Sequence, residues 1–230
     1  MASERTRRGR VDPLFVVAPR RPQDMRDIPL LILTLAVSGY WVGVARMVIR
    51  VQHKTRRGVG LVPEQARERL MWLVWVPLVV AWIALPWIAL NRTETLWTAP
   101  ATIGPVFATL RWCAAAMSLG CLVLTWRCYA RMGEHWRMDV AVDAKSVLIT
   151  DGPFLRIRHP IYAYQALLMV CSAVVLPTPP MIVLAVIHLA LVNAKARNEE
   201  RHLLATHGES YARYVARTGR FVPRFGAGET

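Results

Sequence analysis

Acidic residues are scarce in this chain: its 230 residues hold 15 Asp and Glu against 29 Lys and Arg, a formal net charge of +14. Cysteine is scarcer, and Cys113, Cys121, Cys128 and Cys171 show no CxxC-type spacing, which argues against a zinc module. A chain of this size is also not a small secreted domain stapled by disulfides. No internal repeat or low-complexity tract is present. No small-x-small cleavage site follows the first apolar run, so that run reads as a retained anchor rather than a signal peptide.

The absence that decides the class is of charge itself. Residues 28–45, 70–90 and 112–126 contain no charged side chain. Each run approaches the roughly 20 apolar residues needed to cross about 30 Å of hydrocarbon. A soluble domain would instead show its apolar residues in stripes. Trp41, Trp72, Trp87, Trp97, Trp112 and Trp126 lie toward the run ends, as an interfacial aromatic belt requires. Two shorter apolar segments, 162–176 and 181–192, are joined only by Pro177-Thr178-Pro179-Pro180, so they form an antiparallel hairpin. The expected fold is all-α: a polytopic membrane helix bundle of about five transmembrane helices.

Three regions follow. Residues 1–27 form a basic, poorly ordered tail, residues 28–126 hold three transmembrane helices, and residues 127–230 hold two more with the chemistry. Within them, Pro63-Glu64-Gln65 resembles a helix start, and Pro77 and Pro86 predict kinks. Arg111 is placed to snorkel at the end of the third span. Residues 139–143 and 147–150 have strand-like alternation ahead of a turn at Asp151-Gly152-Pro153.

With five spans, residues 46–69, 127–158 and 195–224 share one side and carry most of the positive charge, which predicts a cytoplasmic C-terminus. The tail, with seven arginines on the opposite side, breaks that rule. The arginines flank every hydrophobic run, as juxtamembrane loops near anionic membrane lipids do. No nucleic-acid partner is expected, because no recognisable binding fold accompanies the basic charge.

Ionisable groups at membrane depth are functional candidates by default. Arg158-His159-Pro160-Ile161-Tyr162 opens the hairpin, and Glu199-Glu200 lies past its far arm, so the antiparallel geometry returns all of these to one membrane surface. Pro160 suits the first turn of a helix. The free amides there, with Arg158 and His159, make an anion-binding corner. Glu199 falls on the stripe Ala185, Leu189, Val192, Ala196, Leu203 of a helix ending at His207-Gly208, and a carboxylate on such a face needs a cation or donors. Together the groups could hold a zwitterion with a further cationic centre.

Gly133-Glu134-His135-Trp136, the segment from Val147 to Phe154, Arg158-His159-Pro160-Ile161-Tyr162, Glu199-Glu200-Arg201-His202-Leu203, Gly208-Glu209-Ser210-Tyr211-Ala212-Arg213-Tyr214 and Val222-Pro223-Arg224 occur in that order. The set resembles the superfamily of isoprenylcysteine carboxyl methyltransferases and phospholipid methyltransferases, over about residues 127–225. The resemblance implies a cytoplasm-facing pocket for S-adenosylmethionine, and a small-molecule or lipophilic methyl acceptor that can enter sideways from the bilayer. It places Arg158, His159, Pro160, Tyr162 and Glu199 around the cofactor, with Tyr211, Tyr214 and Arg224 closing the pocket. Arg158 and Glu200 become the catalytic candidates, Glu200 as base if the acceptor must lose a proton. Glu134 and His135 are peripheral candidates, and no metal is implied.

Two departures stand out: Tyr164 where the family often has a small residue, and Cys171 where it often has glycine. The paired glycine of the phosphatidylethanolamine branch is also missing. Plainer roles exist for several residues: Arg158 as a snorkelling anchor, Tyr162 as a belt residue, Glu200 in a surface ion pair, and His188 in a helix–helix hydrogen bond. Other classes compatible with the pattern are an NADPH-dependent membrane reductase resembling the sterol reductases and a non-enzymatic membrane protein.

Overall fold

A computed structural model describes residues 27–55, 66–91, 104–136 and 148–224. Six α-helices account for most of them: α1 (Ile28–Thr55), α2 (Ala66–Asn91), α3 (Pro105–Met132), α4 (Pro160–Val175), α5 (Pro179–His207) and α6 (Glu209–Arg217). Among the described residues, four stretches are long and apolar enough to cross a membrane: Ile28–Lys54, Glu68–Asn91, Pro105–Met132 and Pro179–His207. The fifth expected helix is the shorter apolar α4. The 16 residues of α4 span only about 24 Å at 1.5 Å per residue. The first and third spans are also longer than their uncharged cores, because polar residues extend both helices past the hydrocarbon.

The reason α4 can be short lies at its end. Arg111 does not snorkel: its Nε donates to the Val175 carbonyl at 3.0 Å, and its Nη2 pairs with Asp27 at 2.5 Å. A helix leaves its last carbonyls without intrahelical donors, and Arg111 satisfies one of them inside the bundle. Asp27 in turn caps α1, accepting from the Leu30 amide at 3.1 Å. One ion pair thus ties together the start of α1, the start of α3 and the end of α4. At the opposite surface, Lys54 pairs with Glu134 at 2.5 Å and Glu68 on α2 meets α5. The segments expected to share a side therefore do so.

Glycines let the backbones of α1 and α3 approach closely. A Cβ on Gly43 would stand 2.6 Å from the Trp126 indole nitrogen, and one on Gly39 3.2 Å from Leu122. The strand-like reading of 147–150 fails for Leu148, Ile149 and Thr150, which are irregular, whereas 139–143, Val147 and the helix start at 63–65 lie outside the described residues. The expected turn at Asp151-Gly152-Pro153 is a 3₁₀ turn, Gly152–Leu155, entered through Gly152 at φ 58°. Arg131 anchors this turn by pairing with Asp151.

The buried face of α5 follows the expected stripe at Ala185, Val192 and Ala196 and adds Met181, His188 and Lys195, whereas Leu189 is 37% exposed. Lipid accepts leucine as readily as a protein core does, so inside a membrane it is the polar side chains that mark the interior. His188 makes no helix–helix hydrogen bond. Neither ring nitrogen has a partner among the described residues, and the ring packs against Trp82 and Trp75 on α2 at centroid distances of 5.0 and 6.0 Å.

Candidate active site

The expected cluster forms where α4 begins, α5 leaves the apolar layer and the chain after α6 returns. Pro160 opens α4 and is buried. His159 precedes it at 7% exposure, stacked on Tyr162 with ring centroids 5.6 Å apart and flanked by Phe221 at 6.4 Å.

Glu199 and Glu200 have separate surroundings despite being neighbours. The Tyr162 hydroxyl donates to Glu199. Lys195 Nζ lies 3.7 Å from the same carboxylate, and His159 Nδ1 faces its other oxygen at 3.6 Å. Arg158 pairs with Glu200 rather than Glu199: Nε donates at 2.7 Å while Nη1 donates to the Thr218 carbonyl at 2.6 Å. Arg220 completes the clasp, donating to Glu200 from Nε at 3.0 Å and from Nη2 at 2.5 Å. The hydrogen bond to Glu200 holds the Arg220 guanidinium even more firmly protonated than usual. Three donor contacts fill most of the roughly four acceptor positions of a carboxylate, so Glu200 has little room to take a proton from a substrate. Its geometry suits a clasp better than a base.

Arg220 escaped the sequence reading because no motif contains it, and its approach depends on a backbone detail. Gly219 pairs with Ile157 in an isolated parallel bridge, accepting from the Arg158 amide at 2.9 Å and donating to the Arg156 carbonyl at 3.0 Å. A Cβ on Gly219 would lie 1.8 Å from the Val222 carbonyl oxygen. Gly219→Ala is therefore expected to displace residues 218–222 and open the Arg220–Glu200 contact, costing about 1–3 kcal/mol as overpacking does. A thermal-unfolding midpoint equal to that of the wild type would contradict this.

Tyr211 and Tyr214 are both buried on α6 but serve different ends. The Tyr214 hydroxyl donates to the Phe154 carbonyl at 2.6 Å, fastening α6 to the 3₁₀ turn, and burial pushes its pKa up to about 12. The Tyr211 hydroxyl has no hydrogen-bond partner among the described residues. Burial raises its pKa and the nearby Glu200 charge adds to the shift. His159 Nε2 is likewise buried without a hydrogen bond, although it lies 3.4 Å from Glu200. Buried polar atoms normally find partners, which makes these two candidates for contact with a ligand.

Arg224 and Glu134 fall elsewhere. Arg224 donates to the Ala216 carbonyl at 2.8 Å, capping α6 rather than the cluster. Glu134 belongs to the surface pair with Lys54, and the His135 side chain lies outside the described residues. Tyr164, two residues from Tyr162, turns to the other face of α4, where it lines a cavity of about 640 Å³ with Leu124, Arg127, Ala130, Arg131 and Pro153. Cys171 is buried within the core. Lys195 and Glu68 also went unnoticed in the sequence, where each sits among other charged residues.

Residues 114–205 match the model of the isoprenylcysteine carboxyl methyltransferase family. That stretch carries Arg158, His159, Tyr162, Glu199 and Glu200 and stops before α6. No curated protein matches the chain. Among solved structures, the eukaryotic intramembrane Ras methyltransferase, isoprenylcysteine carboxyl methyltransferase, superposes with a TM-score of 0.53 at 16% identity, covering 87% of this chain and 68% of that one. The chain thus shares a polytopic helical membrane fold with that enzyme, and the family's model matches its residues 114–205.

Proposed function

We propose that this chain is a membrane methyltransferase that uses S-adenosylmethionine and methylates a lipophilic or small acceptor at the membrane surface. The observation that carries the reading is the unequal treatment of the two glutamates. Glu200 is spent on two arginines, whereas Glu199, 23% exposed at its side chain, presents a carboxylate that, among the described residues, only Lys195 and His159 approach as possible cations. Such a group suits the ammonium or sulfonium of the cofactor. The first-turn amides of α4, left without intrahelical acceptors, suit its carboxylate. His159 Nε2 and the Tyr211 hydroxyl supply two further polar contacts. When bound, the cofactor supplies an electrophilic methyl group.

The chain's own residues then position and desolvate. Phe221, Tyr162 and Tyr211 would keep water from the reacting pair, and orientation with desolvation supplies most of the acceleration such a transfer needs. A carboxylate or thiolate acceptor needs no base, which fits a Glu200 already occupied. The alternative reductase would need cations left over for the NADPH phosphates, yet Arg158 and Arg220 are both engaged by Glu200.

Calorimetry on detergent-purified protein is expected to detect S-adenosylmethionine binding, with S-adenosylhomocysteine competing. No heat at millimolar ligand, or a thermal shift with NADPH alone, would sink the reading. The proposed site faces the cytoplasm. Cysteine placed at Thr95 in a cysteine-free background should therefore be labelled only from outside, and cysteine at Lys145 only from inside. Labelling of position 145 from outside would refute this orientation.

A further inference from the structure

Glu68, on the first turn of α2, lies outside the stretch that matches the family, yet it is only 1% exposed. A carboxylate so deeply buried needs cations or donors, and α5 provides both. Lys195 Nζ lies 3.1 Å from Glu68 Oε1, and Asn198 Nδ2 donates to the same oxygen at 2.9 Å. Lys195, itself 3% exposed, stands between two carboxylates. It sits closer to Glu68 than to Glu199, which it approaches at 3.7 Å.

We propose that Glu68 is a positioning residue that holds Lys195 off Glu199 and so keeps the Glu199 carboxylate available to the cationic end of the cofactor. The inference deepens the functional reading above and rests on it. Lys195 and Glu199 are one helical turn apart, so α5 already brings them within pairing reach. With Glu68 in place, the ammonium is shared between the two carboxylates and lies nearer Glu68. Without it, the ammonium closes on Glu199, and an arriving cation meets a neutralised pair. The N-terminal helices thereby gain a part in ligand binding that packing alone would not give them.

The test measures S-adenosylmethionine dissociation constants by calorimetry on the full chain, for the wild type, Glu68→Gln and the double variant Glu68→Gln/Lys195→Met. Glu68→Gln is expected to raise the constant about tenfold, the size of one charge-assisted contact. The double variant removes the ammonium as well and should return to within about threefold of the wild type, or bind tighter, a coupling that a double-mutant cycle isolates. A merely structural pair predicts no such recovery. Lys195→Met alone leaves Glu68 buried without its cation and is expected to fold poorly. Should Glu68→Gln also fail to fold, the double variant decides: wild-type or tighter binding supports the inference, and weaker binding overturns it. An unchanged constant in Glu68→Gln, or a double variant as weak as the single, overturns it too. A wild type that binds no S-adenosylmethionine overturns the functional reading and this inference together, whereas a binding wild type without recovery overturns the inference alone.

Discussion

Glu199→Gln is expected to weaken S-adenosylmethionine binding about ten- to a hundredfold, since a charge-assisted hydrogen bond at a part-buried site is worth roughly 1.5–3 kcal/mol. The amide keeps the shape of the carboxylate and can still accept from the Tyr162 hydroxyl, so the fold should survive. What it loses is the charge that attracts a cation. A Glu199 that merely continued a solvated helix would behave otherwise, with binding and stability changing by less than about 0.5 kcal/mol. The dissociation constant and the unfolding midpoint, measured together, separate the two cases.

Glu200→Gln should act differently, costing stability first. It leaves Arg158 and Arg220 facing an amide, with Arg158 only 11% exposed at its side chain. Removing one partner of such a cluster costs about 2–4 kcal/mol, because the remaining charges stay desolvated. The loss should loosen the chain after α6, since Arg158 also holds the Thr218 carbonyl. Activity would then fall through disorder of the pocket, with the midpoint falling alongside it. If Glu200 were instead the general base, its variant would keep the wild-type midpoint and cofactor affinity and lose only turnover. That outcome would reject the clasp.

Most of the site was legible in the sequence because hairpin geometry is simple: two apolar arms joined by a proline turn must bring Arg158, His159 and Tyr162 back to Glu199 and Glu200. Which cation meets which carboxylate was not legible. The answer depends on Gly219 admitting the backbone that delivers Arg220, and on Glu68 arriving from a helix 127 residues away in sequence. The stripe on α5 was right at Ala185, Val192 and Ala196 and missed His188 and Lys195, because leucine and valine point to lipid as comfortably as to protein and apolar periodicity weakens as a guide inside a bilayer. The shortness of α4 was not legible either, since it depends on Arg111 reaching the Val175 carbonyl from α3.

The most direct test of the account is transfer of label from methyl-labelled S-adenosylmethionine by the purified protein, offered extracted membrane lipids, thiols and prenylcysteine analogues in turn. The wild type is expected to label at least one lipophilic or thiol acceptor, and Glu199→Gln to lose that labelling at cofactor concentrations that saturate the wild type. A wild type that labels no acceptor in any set, or a Glu199→Gln variant as active as the wild type, would contradict it.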